Sequence, residues 1–198
     1  MNPFKLASFV VTMVLLTGCS SSADAVRYYL IEPVSVAGTP NGGAQAISIE
    51  IVDLEIPQYM ERLQIASRRP DSQLVFASTH RWGESLRKNL TRALARNLTS
   101  LLGTPDIGTP ANRLNSPPTY RLTVYIERFE RGADGYVQLL ARWQLIHRET
   151  GETIINSSNA YRSEYRIDSQ DFAGSVLAMS KLLGDLSQTV AGRIEKSQ

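Results

Sequence analysis

Few residues in this chain of 198 have the types and spacing that chemistry requires. Gly83-Glu84-Ser85-Leu86-Arg87 begins like the nucleophile elbow G-x-S-x-G, in which two glycines allow a strained turn to lift the serine above a sheet. Arg87 replaces the second glycine, and the surrounding period is helical, so hydrolase chemistry is not expected there. The two histidines, His80 and His147, are far apart and have no neighbouring ligand set, so no metal site is expected. His80 reads as a polar residue at a helix entrance and His147 as a strand-end residue. The carboxylate pairs Asp53 with Glu55 and Glu127 with Glu130 fit solvent-facing strand positions or strand ends. There is no P-loop and no G-x-G-x-x-G opening a helix after a strand, which removes the usual phosphate cradles. No catalytic residue and no dissociable cofactor is expected. One group remains, the thiol of Cys19, the only cysteine in the chain.

That thiol follows a positive n-region at Lys5 and an uncharged run, Leu6 to Thr17 (LASFVVTMVLLT), ended by Gly18. The run is shorter than the ~20 apolar residues that span a bilayer as a helix, and it has the architecture of a signal peptide. A lone cysteine cannot form an intramolecular disulfide even in an oxidising compartment. Leu16-Thr17-Gly18-Cys19 is similar to a bacterial lipobox. Its small residues let the chain enter a peptidase, and its thiol takes a diacylglyceryl group. The expected organisation is a signal peptide over 1–18, a polar lipid-anchored tether over 19–25 and one folded domain over 26–198. Each buried acyl methylene contributes about 0.8 kcal/mol, so several chains on Cys19 anchor firmly where one would not. Ser20 rather than Asp follows the cysteine, which in Gram-negative sorting favours the outer membrane, with the domain facing the periplasm.

Hydrophobic residues make up 42% and charged residues 20%, the balance of a globular domain. A net charge of +2 supplies no global field, so a nucleic-acid partner is not expected. Charge is uneven along one segment. From Arg81 to Leu102 the residues Trp82, Leu86, Leu90, Ala93, Leu94, Asn97, Leu98 and Leu101 recur at helical spacing on one core-facing arc, and Arg81, Lys88, Arg92 and Arg96 lie almost opposite them. This basic face is either a solvated helix surface or a contact for lipid headgroups or an acidic partner. Gly103 is placed as the helix C-cap, and the Pro-rich stretch 103–118 reads as irregular loop with no assignable role.

The remaining pattern is mostly extended. Strands are expected over Val26 to Glu32, Ala46 to Ile56, Leu63 to Ser67 and Gln73 to Ala77. A meander follows from Tyr120 through a turn at Asp134-Gly135, then Val137 to Leu145, a turn at 149–152, and Thr153 to about Arg166 as an edge. A final helix, capped by Asp168 or Ser169, carries Phe172, Val176, Met179, Leu183, Leu186, Val190 and Ile194 at spacings of three and four. The fold class predicted is α+β: a single domain with an antiparallel sheet and two amphipathic helices packed on one face.

Four segments together resemble, in order, the PqiC/YmbA family of ABC-type transport auxiliary lipoproteins. They are RYYLIEP (27–33), IEIVDLEIPQYMERLQIASR (49–68), HRWGESLRKNLTRALARNL (80–98) and YRLTVYIERFERGADGYVQLLARWQLI (120–146). The resemblance implies a lipid-anchored outer-membrane accessory that docks a periplasmic MCE-domain conduit for lipid transport, with a ring of identical copies as the arrangement matching a channel. It carries no catalytic residue, only the lipobox cysteine, onto Cys19. The alternatives are an independent periplasmic lipid-binding carrier and an envelope hydrolase.

Overall fold

The computed structural model describes residues 24–34 and 47–197, so Cys19, the signal run and most of the tether lie outside the described residues. The strands are β1 (Arg27–Tyr29), β2 (Ile49–Glu55), β3 (Gln64–Arg68), β4 (Leu74–Trp82), β5 (Ile107–Gly108), β6 (Tyr120–Arg131), β7 (Val137–His147) and β8 (Thr153–Arg162). The helices are α1 (Leu86–Leu102) and α2 (Phe172–Glu195), with a 3-10 turn at Gln58–Glu61.

β6 is the spine of the sheet. On one side it pairs antiparallel with β7 along its whole length, and β7 pairs antiparallel with β8. On its other side β6 meets β2 in parallel over Tyr120 to Tyr125, then β3 in parallel at Arg131. β3 turns back antiparallel into β4, and β4 carries β1 in parallel at the edge. The predicted α+β single-domain arrangement is present, but the sheet is mixed rather than purely antiparallel. Parallel partners need a crossover connection, and between β2 and β6 the chain makes the β3–β4 excursion and α1 before returning.

Alternation on β6 and β7 places Leu122, Val124, Ile126, Val137, Leu139, Ala141, Trp143 and Leu145 in one core with the stripes of both helices. Trp143 is fully buried, and its indole N–H donates to Asn159 Oδ1 at 3.0 Å, so burying its ring strands no polar group.

α1 begins at Leu86, not Arg81. Arg81 and Trp82 mimic the first turn of a helical period, but they continue β4, opposite Tyr28 and Tyr29. Ser85 then takes the N-cap position, and Gly103, at φ 62°, ends the helix as its sequence position predicts. α2 is capped by Asp171 rather than Asp168 or Ser169; its Oδ1 accepts from the Gly174 N–H at 2.7 Å. Within the expected irregular loop, Ile107–Gly108 adds a short strand to β2.

Candidate functional site

After β1 the chain leaves the sheet and crosses the seam between α1 and α2. Seam residues on both helices are polar or small where a purely apolar stripe would be expected. Asn89 Oδ1 accepts from the Ile31 N–H at 2.7 Å, and its amide donates back to the Ile31 carbonyl at 2.9 Å. Ser180 Oγ accepts from the Glu32 N–H at 3.1 Å, and Asn97 Oδ1 from the Val34 N–H at 3.1 Å. Pro33 has no N–H to satisfy. The backbone donors of 31–34 therefore all have partners, as they must for the segment to lie against a buried seam. Asn97 also donates to Ser187 Oγ at 3.1 Å, tying the two helices together beneath the segment. Gly184 supplies the remaining space, since a Cβ there would lie 2.2 Å from Val34 Cγ2. This seam is a strap site: the chain that follows Cys19 is fastened to the core by side chains from both helices.

A second polar centre lies at the far end of β6. Glu130 is 1% exposed, which corrects its expected solvent-facing position. A register shift between Ile126 and Arg128 breaks the alternation, so Phe129 takes the core face and Glu130 is covered from the other side. Its Oε1 accepts from Arg68 Nε and Arg128 Nε, each at 3.0 Å, and its Oε2 from the Tyr59 hydroxyl at 2.6 Å. Burial, then the hydrogen bond to Glu130, pushes the Tyr59 phenol well above its ordinary range. The hydrogen bond to Glu130 likewise holds the Arg68 guanidinium more firmly protonated. The cluster joins the 3-10 turn, β3 and β6. A carboxylate already held by two guanidiniums and a phenol acts as a structural tie, not as a free base.

Of the sequence-predicted basic residues, Lys88, Arg92 and Arg96 share one exposed face of α1 at spacings of four, and Arg81 is not on that helix. Arg81 lies on β4, half-buried, in register with Tyr28 and Gln64. Lys88 and Arg96 are exposed on α1. Arg92 makes a bidentate pair with Glu84, which holds that carboxyl below its usual range and neutralises this part of the helix surface. Ser85 is an N-cap position. His80 is stacked between Tyr29 and Phe172, and His147 packs edge-on against Tyr120. Glu127 pairs with Arg142. Among the described residues no cluster of His, Cys, Asp and Glu could hold a metal ion, and no helix is long and apolar enough to cross a membrane. In loop 103–118, Asn112, Arg113 and Ser116 help to line a depression of about 470 Å3, and Arg113 pairs with Glu50 across 3.0 Å.

Periodicity gives one sign of the strap. Asn97 falls on the apolar stripe of α1, a polar residue in a core position, and that anomaly was the available signal. Glu130 carried no signal, because its burial depends on a bulge.

Residues 28–191 match the family described as ABC-type transport auxiliary lipoprotein component. No curated protein matches the chain. Two crystal structures share the fold. One is of an uncharacterized protein, at 20% identity and TM-score 0.70, covering 86% of this chain and 99% of the other. The second is protein XCC0632 from Xanthomonas campestris, assigned to DUF330, at 14% identity and TM-score 0.68, covering 86% and 96%.

Proposed function

The chain belongs to the ABC-type transport auxiliary lipoprotein family, and we propose from this that it is acylated on Cys19 and serves at the outer membrane, facing the periplasm, as the docking partner of an MCE-domain lipid conduit. The match over 28–191, standing directly behind Leu16-Thr17-Gly18-Cys19, is the observation that carries this reading. The family is one of transport auxiliaries and is not known as an enzyme family. Docking asks for a rigid body close behind its anchor, and two features support that reading: β1 is paired with β4, and residues 31–34 are held by Asn89, Ser180 and Asn97. Several copies arranged in a ring would present a seat with a central opening.

The test is affinity purification of the full-length lipoprotein from membranes, with mass spectrometry of proteins and lipids. Docking predicts recovery of an MCE-domain protein with its inner-membrane partners. Their reproducible absence, with phospholipid bound one to one, would replace docking by the carrier reading.

A further inference from the structure

The tip of the β6–β7 hairpin gathers arginines that are distant in sequence. Arg131 Nε donates to the Ile167 carbonyl at 2.8 Å, and Arg166 Nε to the Asp134 carbonyl at 2.9 Å. Both are therefore positioned by backbone, and the ion pairs among the described residues include neither. They flank Gly135, at φ 84°: a Cβ there would lie 3.6 Å from Arg131 Nη2 and 3.6 Å from Arg166 Nε. Arg162 lies beside them, 3.6 Å above the Tyr136 ring, and pairs with Asp134. The nearby Glu164 is taken by Lys181. Two guanidiniums held in place around a bare backbone turn, without a carboxylate of their own, suit a phosphate oxygen cluster.

The start of β1 lies toward this same end of the sheet. β1 runs parallel to β4, with Arg27 against His80 and Tyr29 against Trp82. Being parallel, β1 has its Arg27 end toward the start of β4, where Leu74 faces Arg68, and Ser67 faces Arg131. Cys19 precedes Arg27 by eight residues, a reach of at most about 29 Å fully extended. Tyr28 on β1 is exposed, as suits the interfacial zone of a bilayer, and Val26 just before the strand is exposed as well.

We infer that Arg131 and Arg166, converging at Gly135, bind the phosphates of anionic phospholipid headgroups and seat this end of the domain on the membrane that holds its anchor. The inference rests on acylation at Cys19.

The test uses the full-length lipoprotein in nanodiscs, its intact mass first establishing the acyl groups. Hydrogen exchange at 132–136 is compared between phosphatidylcholine alone and phosphatidylcholine with a quarter phosphatidylglycerol. Exchange is expected to slow about fivefold with phosphatidylglycerol, the scale of one arginine's attraction to an anionic surface. That protection is lost in Arg131→Gln/Arg166→Gln and kept in Lys88→Gln/Arg96→Gln. Equal exchange in both lipids, protection that survives Arg131→Gln/Arg166→Gln, or equal protection by inorganic phosphate in detergent would overturn the membrane seat. If the mass shows no acyl group, the anchoring reading fails separately, and phosphatidylglycerol vesicles added to the same protein decide the seat: protection supports it and none overturns it.

Discussion

Asn89 on α1 holds both the N–H and the C=O of Ile31, 58 residues away, at 2.7 and 2.9 Å. A side-chain amide thus substitutes for a neighbouring strand at the point where the chain leaves the sheet. The same placement that satisfies the backbone also fastens residues 31–34 to the seam between the two helices.

Asn89→Ala leaves a buried N–H and C=O without partners. The expected cost is about 3 kcal/mol, since each unsatisfied buried group costs ~1–3 kcal/mol. Urea unfolding measures the loss, and hydrogen exchange locates it, with the Ile31 amide among the first to exchange faster. An unchanged midpoint would contradict the strap.

Gly184→Ala sets helix preference against space. Alanine is favoured over glycine in a helix by about 1 kcal/mol, but its Cβ would meet Val34 Cγ2 at 2.2 Å. Net destabilisation by about 2 kcal/mol is expected, within the range of overpacking costs. In a Val34→Ala background the same substitution becomes neutral or stabilising. A double-mutant cycle by thermal unfolding reads the coupling, and additive effects would show that the two residues do not touch.

Glu130→Gln leaves Arg68 and Arg128 without their counter-charge. Both guanidiniums are about a quarter exposed, so the expected cost is about 3 kcal/mol, the low end of the range for a broken buried pair. Replacing Arg68, Glu130 and Arg128 together by methionine is expected to cost less than Glu130→Gln alone, because no charge is then stranded. Chemical denaturation of both variants tests this ordering.

Tyr59 predicts an alkaline signature. Its folded phenol is raised above the unfolded value of about 10, so its contribution to stability is complete below pH ~10 and is lost as pH rises toward the folded value. Wild-type stability should fall more steeply above pH ~10 than that of Tyr59→Phe, measured by urea midpoints across that range. Parallel curves would contradict the Tyr59–Glu130 contact.

Local periodicity made the large elements legible. The meander, both helix stripes and the Gly103 cap follow from spacings of two or of three and four. Arg81 and Trp82 follow a helical spacing although they end a strand, and only pairing with β1 distinguishes the two. The parallel pairing of β2 with β6 was not legible, because register between distant strands leaves no local trace. The polar centres are non-local for the same reason: Glu130 needs a bulge and partners at 59, 68 and 128, and Arg131 meets Arg166 only through the turn at Gly135. The proposed acylation of Cys19 is the converse case, since it is argued from a four-residue context alone.

Docking at the outer membrane and the headgroup seat both depend on the anchor, so the most direct measurement is metabolic palmitate labelling of wild-type and Cys19→Ala protein, followed by density separation of the two membranes. The account predicts labelled wild-type protein in the outer-membrane fraction and unlabelled Cys19→Ala protein outside it. Label that survives Cys19→Ala, or labelled wild-type protein confined to the inner membrane, would contradict it.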